Sequence, residues 1–412
     1  MSFKMNTRVD LDRFWSTVQR SAEIGKGREG GLARLALTDA DQEMRDQFVE
    51  WCKTAGLTVE IDEMGSIFGR RAGIDDTLPP ILIGSHLDTQ INGGRFDGVA
   101  GVLAGLEVIR TLNDVAYITK RPIVVVNWTN EEGARFSPPM IASGVFVGRY
   151  ELEWAHNLIA DDGARLGDEL DRTGYLGKKG SFDIDSYFEL HIEQGPILDA
   201  EQHQVGIVTC GYPSYGMRVG FVGETAHTGP TPMDLRHNAL IAGARFLTAV
   251  DDIGWDYAIN DGKATGSHLS AWPNKPGILS ETAKCVADVR HPNATTAKVM
   301  AEKMRRAAYE AGAKAGCSVV LEDEWAWGGH IFDTELVASI RSEAIRQNWR
   351  WRDIEAQAGH DAYHMATRFP AAMIFTPCKE GITHNNKESC VPADFVAGLN
   401  VLLHVVVQRC DR

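Results

Sequence analysis

Ile81-Leu82-Ile83-Gly84-Ser85-His86-Leu87-Asp88-Thr89 decides the fold. A short apolar run closed by glycine reads as a buried strand, and the polar residues that follow then stand at its carboxyl end. Ile123–Trp128 is a second run of this kind, and between the two Val99, Val102, Leu103, Leu106 and Ile109 recur at helical spacing. Upstream, Thr38 caps a helix carrying Met44, Phe48, Trp51, Cys52 and Ala55, which Gly56 ends. Alternating strands and helices predict an α/β fold, a mostly parallel sheet with flanking helices. Ligands of such sheets lie beyond the carboxyl ends of the strands. The places to search are therefore just after residues 83, 128 and 190.

From residue 212 the texture changes. Gly216–Gly223 alternates like a half-exposed strand, and Asp234–Val250 reads as a helix. Gly266–Trp272 and Thr282–Arg290 read as strands, Ala294–Ala315 as a long helix and Ser318–Trp325 as a last strand. The order β-α-β-β-α-β predicts an inserted ferredoxin-like α+β domain. The expected layout is a catalytic domain built from 1–211 and 328–412, interrupted by a domain at 212–327. Helix 333–347 and strand Ala372–Pro377 then return to the first sheet.

The 412 residues suit two to three domains at roughly 150 residues each. With 44% hydrophobic and 24% charged residues the chain has ordinary globular composition, which excludes a disordered or fibrous protein. Lys plus Arg number 42 against 56 Asp plus Glu, a formal charge of −14. That leaves no basic footprint for nucleic acid or anionic membrane and favours a small-molecule partner. The seven cysteines are scattered without a Cys-x-x-Cys pair, as expected of reduced thiols. The opening MSFKMNTRVDLDRFW carries no apolar h-region, and runs such as Val405–Val407 are too short to span a bilayer. The expectation is a cytoplasmic, soluble protein with no membrane partner.

Four segments at predicted strand ends hold metal-ligand residue types. They are Gly84–Thr89 with His86 and Asp88, Gly93–Gly98 with Asp97, Asn130–Gly133 with Glu131 and Glu132, and Glu189–Gly195 with His191. Residues i and i+2 of an extended chain face the same side, so the Asp88 carboxylate is placed to orient the His86 imidazole. Each segment alone has an ordinary explanation: a capping pair, a turn glycine, a solvated helix start. Their co-location at strand ends is what points to a site. Gly381-Ile382-Thr383-His384-Asn385 adds a fifth segment.

GSHLDT, GGRFDGVAGVLAG, NEEG-x-RF, ELHIEQGPIL, AGHDA and GITHNNKE together resemble the hydantoinase/carbamoylase amidase family, within the superfamily of two-metal aminoacylases and exopeptidases. The resemblance runs from about residue 80 to the C-terminus, and ELHIEQGP points to the carbamoylase branch. It implies two divalent metal ions per subunit, with His86 and His191 as ligands of one, Glu132 and His384 of the other, and Asp97 bridging. Imidazole and carboxylate suit Zn²⁺ or Mn²⁺, with Co²⁺ and Ni²⁺ as alternatives, and a shared carboxylate permits a two-metal spacing. Glu131 is then the general base that moves water's proton to the leaving nitrogen.

By the same resemblance His227 supports the scissile carbonyl, Arg290 holds the substrate carboxylate, and Gln194 and the Gly359 backbone make further substrate contacts. A guanidinium recognises a carboxylate through two parallel bonds. Gly277 stands where relatives carry an asparagine contact, and Gln357 where a glycine is common. The implied activity is cleavage of an N-carbamoyl-L-amino acid or N-carbamoyl-β-alanine to amino acid, ammonia and carbon dioxide. Allantoate or N-acyl amino acid hydrolysis is the alternative, and a non-catalytic binding protein a third reading, against which an intact Glu131 argues. A homodimer is implied, with the inserted domain as lid and interface and with His227 acting in cis or in trans.

Overall fold

The computed structural model describes residues 3–412. One compact unit is Cys210–His330; the other comprises the chain up to Thr209 together with Ile331–Arg412. In chain order the larger unit opens with strands β1 (Thr58–Ile61), β2 (Ile67–Arg71), β3 (Ile81–His86), β4 (Ile123–Trp128), β5 (Ser186–Ile192) and β6 (Val205–Gly211). The smaller unit supplies β7 (Ser214–Val222), β8 (Lys263–Trp272), β9 (Thr282–Arg290) and β10 (Ser318–Trp327). The chain then returns with β11 (Trp351–Ala356) and β12 (Ala371–Thr376).

The large sheet runs β1-β2-β4-β3-β5-β12-β6-β11. Its centre, β4-β3-β5-β12, is parallel throughout. β2 and β6 join antiparallel on either side. Every residue of the four central strands is buried. The Val/Ile/Leu-rich runs that open β3 and β4 fit strands covered on both faces, and helices provide the cover. Helix Val99–Asp114 is buried along nearly its whole length, and Pro392–Cys410 buries most of its residues. That last helix is long and apolar enough to cross a bilayer, a property the short run Val405–Val407 did not reveal. However, 72% of its most apolar window is buried, so the core uses its apolar face.

The smaller unit is a four-stranded antiparallel sheet of order β10-β7-β9-β8. Two helices, Ala239–Tyr257 and Ala294–Lys314, pack on it through Met217, Val219, Phe221, Phe246, Met300 and Met304. The order of elements is β-α-β-β-α-β, as in ferredoxin-like units. The first helix begins at Ala239 rather than Asp234. Pro230 and Pro232 lie just upstream, and the Arg236 guanidinium donates to the carbonyls of Thr228 and Thr231, which keeps 228–236 out of the helix as a loop with a single 3₁₀ turn at Met233–Leu235.

Polar anchoring in the larger unit converges on the segment before Glu131. Arg45, on helix Asp39–Thr54, donates to Asp41 at 2.6 Å, to the Gly65 carbonyl at 2.7 Å and to Thr129 Oγ1 at 3.1 Å. Both charged side chains of this ion pair are essentially sealed, at 1% and 0% exposure. Removing one partner of a buried pair leaves the other without compensation. Arg45→Met is therefore expected to cost about 3–5 kcal/mol in denaturant unfolding, and Arg45→Met combined with Asp41→Leu to recover much of that loss.

Candidate functional site

Because β3, β4 and β5 are parallel neighbours, their carboxyl ends lie along one edge. His86 is the last residue of β3, Glu131 and Glu132 follow β4 closely, and His191 lies near the end of β5. Asp97 immediately precedes Gly98, which caps helix Val99–Asp114. His384 sits in the loop after β12 with φ +52. Gly98 has φ +66, and a Cβ there would lie 2.3 Å from the His86 ring, so only glycine lets the helix start this close to the imidazole.

Asp97 is the centre of the arrangement. Its Oδ1 lies 3.2 Å from His191 Nε2 and 4.0 Å from His86 Nε2. Its Oδ2 lies 3.2 Å from His384 Nε2, which is also 3.3 Å from Glu132 Oε2. Two ligand-type groups result, His86–Asp97–His191 and Asp97–Glu132–His384, each with its donor atoms within 4.8 Å of one another. Glu131 Oε2 stands 3.3 Å from His86 Nε2 and belongs to neither group.

The rings are aimed from behind. His86 Nδ1 bonds the Asp88 carbonyl at 2.9 Å, and His191 Nδ1 the Ile192 carbonyl at 2.9 Å, which leaves both Nε2 atoms facing Asp97. This corrects the expectation for Asp88. Its carboxylate is 3.9 Å from His86 Nδ1, because it is drawn to the main-chain N–H groups of Glu131 and Glu132, which it accepts at 3.3 and 3.2 Å. Asp88 thus aims the imidazole with its carbonyl and fixes the two glutamates with its side chain. Gln194, expected at the substrate, donates its amide to both Asp97 oxygens at 3.0 and 2.9 Å.

Burial dominates the electrostatics. It pushes Glu131 well above the usual carboxylate range, with Asp361 and Glu132 adding repulsion, and it raises Asp88 likewise. Burial lifts Glu132 to about 7 against the pull of His384. Asp97 goes the other way: hydrogen bonds from His191 and His384 outweigh its burial and hold it well below the ordinary range. Burial lowers His86 to about 4, whereas Asp97 overrides burial to raise His191 to about 9 and His384 to about 10. Two buried carboxylates, Asp97 and Glu132, and three imidazoles, His86, His191 and His384, form an oxygen and nitrogen donor set. That set fits first-row divalent metal ions.

His227 and Arg290 belong to the Cys210–His330 unit. His227 Nδ1 accepts from Gly229 N–H at 3.0 Å and its backbone pairs with Ile278. Gly277, beside it, has φ +88 and open space where a side chain would stand. Arg290 ends β9, donates to Asp288 at 2.9 Å and lies 5.7 Å from the Trp327 ring centre. Gly359 lies on the connection from β11 to helix Asp361–Met365.

Several supporting groups were not singled out from the sequence. Thr383 Oγ1 donates within reach of Asp97 Oδ2 at 2.8 Å and Glu388 Oε2 at 3.0 Å. Glu388 also accepts from the N–H groups of Phe96 and Asp97. Glu189 accepts from Ser85, Tyr187 and the Ala362 N–H, and the His360 ring packs 4.6 Å from that of His191. All of them fall inside the quoted motifs, so the signal was present without a role attached.

Thr383→Val keeps the shape of the side chain and removes the hydroxyl that steadies Asp97. Metal affinity, read by competition with a chelator of known strength, is expected to fall about 10–100-fold with the fold intact.

Residues 82–408 match the model of peptidase family M20/M25/M40. The chain is 41% identical over 410 residues to an N-carbamoyl-L-amino-acid amidohydrolase of Rhizobium meliloti, covering 98% of each. It is 28% identical to an allantoate amidohydrolase of Bacillus subtilis, over 92% of this chain and 93% of that one. A crystal structure of a hydantoinase/carbamoylase family amidase from Burkholderia vietnamiensis superposes with a TM-score of 0.96 at 42% identity, covering 100% of both chains. With two donor groups sharing one aspartate at the strand ends, the chain belongs to peptidase family M20/M25/M40, in its hydantoinase/carbamoylase amidase branch of metal-dependent hydrolases of amide and ureide C–N bonds.

Proposed function

We propose that this protein hydrolyses the carbamoyl C–N bond of an N-carbamoyl-L-amino acid or of N-carbamoyl-β-alanine, giving the amino acid, ammonia and carbon dioxide. The observation that carries the reading is the Asp97-centred double donor group with the Glu131 carboxylate 3.3 Å from one imidazole and outside both groups. His86, Asp97 and His191 would hold one divalent ion and Asp97, Glu132 and His384 a second, zinc being the assignment and manganese, cobalt or nickel the alternatives. Such ions supply Lewis acidity, lowering the pKa of water and polarising a carbonyl.

Glu131 accepts the proton of the attacking water on its carboxylate and hands it to the leaving nitrogen. Its buried setting, which disfavours the charged form, suits a group that must both take and return a proton. Asp88 fixes the Glu131 backbone during this transfer. The motif match assigns His227 a hydrogen bond to the developing oxyanion and Arg290 the substrate carboxylate. Asp288 and Trp327 hold the guanidinium for that purpose. Gly359 is assigned a backbone contact to substrate. Gln194 is assigned a substrate contact through Oε1, while its Nε2 stays on Asp97. We further assign a cytoplasmic location, supported by seven free cysteines. A homodimer through the Cys210–His330 unit is supported by the exposure of Trp255, Ile259 and Trp272 there.

Ammonia release from a panel of N-carbamoyl-L-amino acids, N-carbamoyl-β-alanine and allantoate tests the function. Turnover of the carbamoyl compounds, lost on dialysis against a strong chelator and regained with Zn²⁺ or Mn²⁺, is expected. Preference for allantoate would shift the assignment to the alternative, and no turnover of any member would refute the proposal.

Glu131→Gln is expected to keep its metal content while kcat falls about 10²–10⁴-fold, because an amide cannot take water's proton. Metal analysis beside steady-state kinetics checks this. Arg290→Ala is expected to cost about 2–5 kcal/mol in kcat/KM for carboxylate substrates. The same variant should barely affect an analogue whose carboxylate is amidated, and equal losses for both would make Arg290 structural.

A further inference from the structure

The segment between helix Leu11–Ser21 and the Thr38 cap lies ahead of the residues matched by the family model, yet it touches three of the loops that carry the ligand residues. On the loop after His86, Arg34 N–H donates to Thr89 Oγ1 at 3.0 Å and the Arg34 carbonyl accepts from Thr89 N–H at 2.9 Å. On the loop before Asp97, Leu32 and Gly93 exchange main-chain bonds at 2.9 and 2.8 Å, and Arg95 donates to the Gly30 carbonyl. On the His384 loop, Asn386 donates to the Glu29 carboxylate at 3.1 Å.

Arg34 ties this segment down. Its guanidinium is fully buried, at 0% exposure. Nε donates to the Leu87 carbonyl at 2.8 Å, and Nη1 to the carbonyls of Ser21 and Ile24 at 2.9 and 3.0 Å. One rigid, planar side chain therefore joins the end of the N-terminal helix to the residue between His86 and Asp88. The Asp88 carbonyl that aims His86 sits one residue beyond that anchor. Gly31 lies between Asn92 and Asn386: a Cβ there would stand 2.6 Å from Asn92 Oδ1 and 3.0 Å from Asn386 Cβ. Its φ of −72 is ordinary, so the constraint here is close approach: the Asn92 amide can swing aside, but the Asn386 Cβ and the Gly93 carbonyl, both at 3.0 Å, must give way to a Cβ.

We propose that Gly25–Arg34 is the retaining strap of the metal centre, joining the His86, Asp97 and His384 loops, and that Arg34 is its positioning residue. The strap touches none of the ligand atoms. It fixes the loops on which three of the five ligands sit, so its effect is on how long a bound ion stays. The inference rests on the metal reading proposed above and is independent of the substrate.

The test loads the full-length protein with Zn²⁺, measures bound zinc, adds excess chromogenic chelator and follows the rate of transfer. Gly31→Ala and Arg34→Met are expected to release zinc at least about tenfold faster than the parent, the size typical of outer supports of a metal site. Arg34→Lys, which keeps the charge and some donors, should fall between them and the parent. The metal-stripped Gly31→Ala protein should melt within about 3 °C of the stripped parent, which separates loosened loops from a weakened fold. Release from Gly31→Ala at the parental rate would overturn the strap, as would faster release matched by a large drop in that melting temperature. If Arg34→Met does not fold, Gly31→Ala decides alone. A parent that binds no zinc or other divalent metal would overturn the metal centre and the strap together, whereas a failed substrate panel would leave the strap standing.

Discussion

One carboxylate, that of Asp97, organises the larger unit's functional edge. It faces His86 and His191 through one oxygen and His384 through the other, and it accepts from Gln194 and Thr383 besides. A buried carboxylate is tolerable only when its lone pairs are met and its charge is answered. Much of the surrounding structure does this. Glu388 holds the Asp97 main chain, Gly98 makes room for the His86 ring, and helix Val99–Asp114 starts immediately afterwards. The geometry is over-determined from several directions, which is what a site needs if its ligand atoms are to be set to within fractions of an ångström.

That requirement explains the uneven division of polar groups. β3 and β4 are apolar until their last residues, β5 carries the buried Glu189 within its length, and His86, Glu131, Glu132 and His191 stand at or just beyond one edge. The parallel centre of the sheet aligns those edges, while β2 and β6 enter antiparallel at the flanks. The smaller unit follows another rule: one face of its antiparallel sheet packs on two helices, so its strands alternate. β9 shows this plainly, with Ala283, Cys285, Ala287 and Val289 buried and the residues between them more exposed.

The same contrast decides what could be read from sequence. β3 and β4 were legible because buried parallel strands are continuous apolar runs. β1, β2, β6 and β11 were not legible: β1 and β11 are part-exposed and carry charged residues, Thr-Val-Glu-Ile and Trp-Arg-Asp-Ile-Glu-Ala, while glycines interrupt the apolar runs of β2 and β6. Ligand-type residues were legible because glycine-flanked His, Asp and Glu at strand ends are conspicuous. The roles of their supports were not: Thr383 reaches Asp97 across 286 positions, Glu388 reaches Phe96 across 292 and Arg34 reaches Leu87 across 53, which no local spacing encodes. For Asp88, alternation along an extended chain fixes side-chain direction alone; the backbone donors of Glu131 and Glu132 compete for the carboxylate, and the Asp88 carbonyl is what meets His86.

The inserted unit also has a consequence for biosynthesis. His86, Asp97 and His191 all precede it, whereas β12 and His384 follow it. β12 fills the slot between β5 and β6, so until it is made the large sheet is split. His384 leaves the ribosome roughly 190 residues after His191, a delay of roughly 10–40 s at about 5–20 residues per second. During that interval the first three-residue donor group is already synthesised while the second lacks its imidazole. The smaller unit, continuous in sequence, can meanwhile complete its own core. The centre is therefore assembled in two instalments, and its second half is among the last parts of the molecule to take shape.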